Sequence, residues 1–284
     1  MNGLRNSVFN KVFDRCEKNI ITKKLIYFTI QIGIADFIYR IFSKDYLEKR
    51  EEFFDENKER IEKNINILED ENSKEIYKKM ILYRCKRKRK DFPNYNLKNI
   101  YFPTDIIKLK NNEIFVDCGA YIGDTIEKFF SESNYNYDRV VAFEPDKDNF
   151  EKLKIFEEKY KNIYCFPYGT WIKKEILRFN SGNLAGSSIS DEGSNTIEVV
   201  NLDSIEECQN ATFIKMDIEG SELETLKGAE KIILKNKPKL AICIYHSDND
   251  MIDIIEYIHK LVPEYKIYLR QHGINEADTV IYCI

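Results

Sequence analysis

The sequence predicts an α/β protein, in which a mostly parallel β-sheet with helices on both faces follows an α-helical N-terminal region. Three observations support this class. From residue 113 onward, short apolar runs alternate with helical patterns, which is typical of β–α units. No helical pattern separates the last two runs, so they predict an antiparallel hairpin. Residues 1–90 contain only two glycines and no proline and look helical throughout. We therefore expect a helical region over residues 1–100 and an α/β domain over residues 101–284.

Composition limits the classes of function. Hydrophobic residues make up 43% of the chain and charged residues 32%, as in ordinary globular proteins. The net charge of −4 gives no general attraction to nucleic acid, and we expect no nucleic-acid partner. The seven cysteines are odd in number and form no CxxC motif, which favours buried, reduced thiols over disulfides or a zinc site. A reducing compartment follows, and we expect a cytoplasmic protein.

The helical region shows one apolar face. Leu47, Phe54, Ile61 and Leu68 recur at heptad spacing among charged residues. Such a face needs a partner, and a homo-oligomer formed through these helices is one way to supply it. Asn72 or Ser73 is then expected to cap the next helix.

Two segments of this region allow alternative interpretations. The apolar run over residues 25–34 is far shorter than the roughly 20 residues that span a bilayer. We interpret it as a buried amphipathic helix, with peripheral membrane contact as the alternative. The basic run over residues 84–90 is interpreted as a solvated helix end and linker. Its alternative is a docking site for a phosphate-bearing acceptor or for a membrane surface.

The elements of the α/β domain follow from its alternating pattern. Strands are expected at 114–118, 140–143, 163–166, 213–216, 240–245, 265–269 and 279–283. Helices are expected at 124–131, 147–160, 221–235 and 249–261. The stretch from 171 to 201 is richer in Gly, Ser and Asn and holds two short β-like pieces at 176–179 and 197–200. We interpret this insertion as a candidate acceptor loop.

A cofactor site is predicted where the first strand meets its helix. Gly119 and Gly123 bracket a tight turn, where small residues allow close backbone approach and the helix start offers N–H groups. The spacing is GxxxG, so the GxGxxG pyrophosphate fingerprint of dinucleotide enzymes is absent. Asp117 suits a cationic head group better than a phosphate. S-adenosylmethionine (SAM) carries such an α-ammonium group and no phosphate.

The ends of the next two strands complete this site. Glu144 is placed to accept both ribose hydroxyls, and Pro145 ends its strand. Tyr168 follows the third strand and is our candidate for stacking on the adenine. The residues predicted to bind the cofactor are Asp117, Gly119, Ala120, Tyr121, Gly123, Asp124, Thr125, Glu144, Pro145 and Tyr168.

Catalytic residues are expected at the carboxyl ends of the fourth and fifth strands. Asp217 and Glu219 follow the fourth strand, where they would face the reacting groups or cap the next helix. His246 follows the fifth strand and is our candidate for the base that removes a hydroxyl proton. A hydrogen-bonded structural histidine is the alternative. The same three side chains could also ligate a divalent ion, although no dedicated metal site is predicted.

These motifs resemble those of the FkbM family of methyltransferases between Ser73 and Tyr282. They are Ser73-Lys74, Tyr83-Arg84, Tyr101-Phe102, the stretch 113–125, Phe143-Glu144-Pro145, Leu202-Asp203, the acid-rich 214–222, Leu226-Lys227-Gly228-Ala229-Glu230, and Pro238 leading to Tyr245-His246. The resemblance implies a Rossmann-like class I methyltransferase sheet and SAM-dependent O-methylation of a small-molecule or glycan acceptor. Sugars of surface polysaccharides and natural products such as macrolides are the expected classes. An NAD-dependent oxidoreductase and a catalytically silent SAM-binding subunit are the alternatives, and the missing GxGxxG opposes the first.

Overall fold

The computed structural model describes residues 28–179 and 195–284. The chain divides into two compact units. The first comprises Met1–Lys98 with Leu269–Thr279, and the second comprises Asn99–Tyr268 with Val280–Ile284. Thus Leu269–Thr279, which we expected within the α/β domain, is grouped with the N-terminal helices. The domain boundary at residue 100 stays a prediction.

The first unit is helical in its described N-terminal part. Its elements are α1 (Ile34–Phe42), α2 (Lys44–Glu56), α3 (Lys58–Ile67), α4 (Glu71–Lys86) and a 3₁₀ turn over Arg89–Asp91. The heptad residues are all buried: Leu47, Phe54, Ile61 and Leu68. They do not lie on one continuous helix, because α2 ends at Glu56 and Asn57 separates it from α3.

The cap of α4 differs from the expected one. Asp70 occupies the cap position, and its Oδ1 accepts the N–H of Ser73 at 2.7 Å. Asn72 and Ser73 lie inside the first turn, so the prediction that one of them is the cap was wrong. The Ser73 hydroxyl oxygen instead accepts the N–H of Leu269 at 2.8 Å. A side chain already used for this long-range contact is not available to cap its own helix.

The basic run is solvated at its lysines, as expected, but not at its arginines: Lys86, Lys88 and Lys90 are exposed, whereas Arg84 is buried and Arg87 and Arg89 are half-buried. Arg84 is fully buried, and Arg87 forms an ion pair with Glu276. Arg50 approaches the same carboxylate at 2.6 Å, and Arg270 pairs with Asp70 at 2.7 Å. These arginines therefore connect the helices to the segment Leu269–Thr279 within the first unit.

The described strands form a seven-stranded sheet, most of whose residues belong to the second unit, and a small three-stranded sheet. The strands are β1 (Glu113–Cys118), β2 (Tyr137–Phe143), β3 (Ile163–Phe166), β4 (Gly169–Thr170), β5 (Glu175–Phe179), β6 (Asn195–Val200), β7 (Phe213–Met216), β8 (Lys239–Cys243), β9 (Ile267–Gln271) and β10 (Thr279–Cys283). The large sheet has the order β3-β2-β1-β7-β8-β10-β9, and the small sheet has the order β4-β6-β5. Pairing is parallel from β3 to β8 and antiparallel between β8 and β10. The predicted class, a mostly parallel sheet with an antiparallel C-terminal hairpin, is confirmed.

Helices connect the parallel strands. They are α5 (Asp124–Ser133), α6 (Lys147–Leu153), α7 (Ile155–Lys159), α8 (Glu222–Lys227), α9 (Glu230–Asn236) and α10 (Asp250–Leu261). The single helix expected at 221–235 is divided at Gly228, where a Cβ atom would lie 2.1 Å from the carbonyl oxygen of Trp171. The Asp203 carboxylate then accepts the N–H groups of Lys231 and Ile232, both at 3.0 Å, and starts α9. Part of the predicted acceptor loop, residues 180–194, lies outside the described residues.

The strand order reverses at the centre of the sheet. β1 pairs with β2 on one side and with β7 on the other, so the order of the strands reverses there. Ligands of open α/β sheets bind at the carboxyl ends of such strands. Aromatic rings pack in the core beneath these strands; the ring centroids of Phe115 and Phe129, for example, are 4.6 Å apart.

The cysteines and the helices of the described residues bear on the environment of the protein. The six cysteines among them are free and buried, as expected for reduced thiols, whereas Cys16 lies outside that part of the chain. Among the described helices, none combines the length and apolar character needed to cross a bilayer.

Candidate active site

The turn after β1 is held by its own backbone. The N–H groups of Gly119 and Ala120 both donate to the carbonyl oxygen of Phe143, each at 3.0 Å. The N–H of Tyr121 donates to the Glu144 carboxylate at 2.9 Å. These three N–H groups are therefore used within the protein, and the expected N–H donors at the start of α5 stay a prediction. The hydrogen bonds of the three groups fix the turn against the end of β2.

The two glycines of the turn are required by contacts within the protein. Gly119 has φ +80°, and a Cβ atom there would lie 2.0 Å from the carbonyl oxygen of Asp217. Gly123 has φ +91°, and its Cβ would lie 2.3 Å from the ring of Phe156. These contacts explain both glycines without a ligand, and the close approach of a ligand to their backbone stays a prediction.

The remaining turn residues surround the start of α5. Ala120 and Thr125 are buried, Tyr121 and Asp124 are exposed, and Pro145 and Tyr168 are half-buried. The ring of Tyr168 stacks on Phe166 at 6.3 Å, and Phe166 stacks on Phe143 at 5.3 Å. The contact between Tyr168 and an adenine stays a prediction.

Glu144 is a buried carboxylate with both oxygens already oriented. Oε2 accepts the N–H of Tyr121 and Oε1 accepts the N–H of Asp146, each at 2.9 Å. Burial raises the pKa of Glu144 to about 6, although these backbone hydrogen bonds oppose the shift. Each oxygen keeps a lone pair, so the carboxylate can accept two further hydrogen bonds from a diol.

Asp117 pairs with a lysine that the sequence analysis did not identify. Lys215, in the middle of β7, places Nζ 2.9 Å from Asp117 Oδ1 and 2.8 Å from the carbonyl oxygen of Gly119. Both side chains are almost completely enclosed. Burial raises the pKa of Asp117 against the effect of Lys215, whereas the Asp117 carboxylate raises the pKa of Lys215 against the effect of burial. In the structure the Asp117 carboxylate therefore forms an ion pair with Lys215. Its contact with the ammonium group of a cofactor stays a prediction.

Asp217 lies directly after β7 and is held by two tyrosines. Its Oδ2 accepts the Tyr101 hydroxyl at 2.7 Å, and its Oδ1 accepts the Tyr245 hydroxyl at 3.0 Å. Burial would raise the pKa of Asp217, but Lys215, His246 and the two hydroxyls hold it below its ordinary value. Asp217 is thus an ionised, oriented carboxylate whose side chain stays 24% exposed.

His246 lies three residues after the end of β8, among three carboxylates. Its Nδ1 is 3.0 Å from Glu222 Oε1, while its Nε2 is 3.4 Å from Asp217 Oδ1 and 3.6 Å from Glu219 Oε2. Burial would lower the pKa of His246, but these carboxylates, Glu222 first, raise it to about 9. At neutral pH the imidazole is therefore mainly protonated, which the sequence analysis did not anticipate.

Three of these site residues form a group that could hold a metal ion. Ligand atoms of Asp217, Glu222 and His246 lie within 4.8 Å of one another. Glu222 is the second carboxylate of this group, where we had expected Glu219; the Glu219 side chain is 46% exposed. A protonated imidazole between carboxylates satisfies this arrangement equally well, so the spacing alone does not establish a metal site.

Comparison with known proteins identifies the family. The family model described as the methyltransferase FkbM domain matches residues 117–272, which is more than half of the chain. The chain belongs to the FkbM methyltransferase family. The methyltransferase activity expected from the motifs is thereby confirmed, and the oxidoreductase and silent-subunit alternatives are not supported.

Two relatives of this FkbM methyltransferase are informative. It is 25% identical over 199 residues to the hexuronic acid methyltransferase AglP of Haloferax volcanii, covering 66% of this chain and 79% of AglP. It is also similar to the crystal structure of methyltransferase FkbM from Methylobacillus flagellatus KT, with a TM-score of 0.72 and 28% identity. That match covers 81% of this chain and 60% of the solved chain, so this FkbM methyltransferase spans less than two thirds of that relative.

Four site residues of this FkbM methyltransferase were not identified as functional from its sequence. Lys215 and Glu222 carry a recognisable signal, because a charged residue inside an apolar strand or at a buried helix start needs a partner. Tyr101 and Tyr245 stand only within the motifs that resemble the FkbM family, and those motifs do not indicate what either side chain contacts. Tyr101 meets Asp217 from 116 positions away, and nothing local in the sequence indicates that pairing.

Proposed function

We propose that this methyltransferase transfers the methyl group of SAM to a hydroxyl oxygen of a sugar. The observation that supports this function best is the pairing of Glu222 with His246. It directs Nε2 of the imidazole toward the partly exposed carboxylate of Asp217 at the carboxyl end of β7. A base oriented by a buried acid is what removal of a hydroxyl proton requires.

The residues around the turn after β1 fit SAM as the methyl donor. Glu144 offers a carboxylate whose orientation is fixed before any diol binds, which suits the two ribose hydroxyls. The nearby charges are mainly carboxylates, and the one buried lysine is already paired with Asp117. Such surroundings favour a cationic ligand over a phosphate-bearing one. When bound, SAM supplies a methyl group activated by its sulfonium centre.

The acceptor side is assigned to three side chains. Asp217 would accept a hydrogen bond from the acceptor hydroxyl and hold its oxygen toward the methyl carbon. As the new C–O bond forms and the C–S bond breaks, the hydroxyl proton would pass to Nε2 of His246. Glu222 would stabilise the imidazolium from the other side of the ring. It acts as a positioning residue, because it touches His246 rather than the acceptor.

A sugar acceptor is supported by two independent features. The relative AglP is a hexuronic acid methyltransferase. In addition, Asp217 and Glu219 expose carboxylate oxygens beside His246, and these accept hydrogen bonds from neighbouring hydroxyls of a polyol.

The second candidate for hydroxyl activation is a divalent ion held by Asp217, Glu222 and His246. Its support is the short spacing of these ligand atoms. Such an ion would lower the pKa of a bound hydroxyl and remove the need for an imidazole base. Loss of turnover with a chelator, restored by Mg²⁺ or Mn²⁺, would establish this candidate. Full activity in the chelator would leave His246 as the base.

The proposed function can be tested with the complete chain and defined acceptors. Calorimetry with SAM and with NAD would first establish the donor. Glucuronoside, galacturonoside and neutral hexoside acceptors would then be incubated with SAM and analysed by mass spectrometry. We expect a methylated glycoside whose methyl group survives mild alkali, because ethers resist conditions that cleave methyl esters. An alkali-labile product would show transfer to a carboxylate, and failure to bind SAM would overturn the proposal.

A further inference from the structure

Helix α1 packs on the first unit with its polar side. Asp36 is buried, and its Oδ1 accepts the Tyr83 hydroxyl at 2.5 Å. The ring of Tyr39 lies 4.3 Å from the guanidinium carbon of Arg87. Surface helices normally turn their apolar side toward the protein, so the orientation of α1 is inverted.

The outward side of α1 carries a continuous apolar stripe, which we name the α1 apolar face. Five of its members follow the i, i+3, i+4, i+7, i+8 spacing of one helix side from Ile34 onward, and Phe28 and Ile32 precede the helix. They are Phe28, Ile32, Ile34, Phe37, Ile38, Ile41 and Phe42, with exposed fractions of 55, 50, 46, 55, 38, 58 and 69%. An exposed apolar surface of this extent indicates an interaction site. In the described part of the buried helix predicted over residues 25–34, Ile30 is buried as expected, whereas Phe28, Ile32 and Ile34 are exposed, so the prediction of burial is wrong for these three.

The sequence that ends in α1 carries a net charge opposite in sign to that of the whole chain. Residues 1–42 contain seven Lys and Arg against three Asp and Glu, a net charge of +4 in a chain whose net charge is −4. Six of these seven basic residues precede residue 28 and lie outside the described part of the chain. Lys44, directly after the helix, is also well exposed. A positively charged sequence that leads directly into an apolar helix face is typical of helices that lie at membrane interfaces.

We propose that the α1 apolar face binds the surface of an anionic lipid bilayer, with the helix axis parallel to the membrane plane. The nine residues of α1 are too few to span the roughly 30 Å hydrocarbon core. A second copy of this chain fits less well. A two-fold contact through this face would bring two segments of charge +4 together, whereas anionic headgroups neutralise them.

Vesicle flotation with the complete chain tests this inference. Vesicles of phosphatidylcholine alone would be compared with vesicles of equal parts phosphatidylcholine and phosphatidylglycerol, at low and high NaCl. We expect binding to the anionic vesicles that weakens with salt. The double variant Phe37→Ser/Ile41→Ser should reduce this binding by at least about tenfold, since two apolar contacts are lost. Both side chains are exposed, so the fold should tolerate the change.

The matched control is Ile155→Ser/Leu234→Ser, which changes two equally exposed apolar residues of the second unit. It should bind vesicles like the parent chain. Absence of vesicle binding, equal loss in both double variants, or equal binding to both lipid compositions would each overturn the proposal. Light scattering supplies a further outcome. A dimer that Phe37→Ser/Ile41→Ser dissociates, without vesicle binding, would assign the face to a second copy instead.

Discussion

At the scale of single residues, the prediction that an experiment could refute most directly concerns His246. If Nε2 takes the hydroxyl proton, His246→Ala should lower turnover by roughly 10²- to 10⁴-fold. SAM affinity should change little, because the imidazole contacts Asp217, Glu219 and Glu222 rather than the turn after β1. Single-turnover rates and calorimetry measure the two quantities. His259→Ala in α10 is the control and should match the parent; an equally active His246→Ala enzyme would remove the assignment.

The pH dependence of turnover tests the role of Glu222. Only the neutral imidazole accepts a proton, and the carboxylates raise the pKa of His246 to about 9. Turnover should therefore rise with pH up to about 9. Glu222→Gln removes the largest cause of that increase, so the midpoint of the rise should move down toward the ordinary histidine value near 6.5. A bound sulfonium lowers the midpoint in both enzymes and leaves the direction of the difference unchanged. An unshifted midpoint would show that Glu222 does not act through His246.

Glu144 supports a prediction about donor binding. Glu144→Gln should weaken SAM binding by about 2–3 kcal/mol, because a neutral amide replaces two charge-assisted hydrogen bonds. Burial raises the pKa of Glu144 to about 6, so the carboxylate is ionised above that pH. The affinity of the parent should accordingly fall as the pH drops through about 6, whereas that of the variant should stay flat. Calorimetry at several pH values measures both, with thermal unfolding to confirm that the turn survives. Equal pH dependence in the two proteins would exclude the ribose contact.

At the scale of elements, two glycines with positive φ allow a matched comparison. In Gly119→Ala the new Cβ would meet the carbonyl oxygen of Asp217 at 2.0 Å, and neither backbone can move freely. In Gly220→Ala, with φ +95°, the nearest atom is the Cβ of His246 at 3.8 Å. We expect Gly220→Ala to cost roughly 1 kcal/mol of unfolding free energy from backbone strain alone. Gly119→Ala should cost roughly 3 kcal/mol or more, since a clash is added.

Urea unfolding of both variants measures this difference. Similar losses would mean that the turn after β1 can separate from Asp217 at little cost. In that case the contact between Gly119 and Asp217 would not hold the carboxyl ends of β1 and β7 together.

At the scale of the whole molecule, the helices and the segment Leu269–Thr279 form one unit. Deleting residues 1–70 would remove Asp70, the partner of Arg270, and Arg50, one of the arginines that pair with Glu276; Arg84 and Arg87 would remain beside Glu276. The deletion also removes the buried side chains Leu47, Phe54, Ile61 and Leu68, so the shortened chain should unfold at distinctly lower denaturant concentration. A chain lacking only residues 1–27 keeps both pairs and is the control. Equal unfolding of the two chains would show that the hairpin does not depend on these helices.

Local patterns in the sequence were sufficient for the sheet and for much of the site. Alternating apolar runs predicted the seven strands of the large sheet, and their carboxyl ends indicated Asp117, Glu144 and Asp217. The predicted strands at 163–166, 213–216 and 279–283 match β3, β7 and β10 in both bounds. This succeeds because strand periodicity, glycine turns and strand-end acids depend on neighbours within a few residues.

Only the tertiary structure decided how the charged groups are paired. Asp117 lies 98 positions before Lys215, and Tyr101 lies 116 positions before Asp217, so no local pattern specifies either contact. Lys215, His246 and the two tyrosine hydroxyls hold the pKa of Asp217 below its ordinary value, and Glu222, Asp217 and Glu219 raise the pKa of His246 to about 9 against the effect of burial. The orientation of α1 has the same origin. Its spacing shows that the helix has an apolar side, but the partners of Asp36 and Tyr39 decide that this side faces outward. Periodicity fixes the angle between residues about a helix axis, whereas the direction of that axis and its rotation are set by distant contacts.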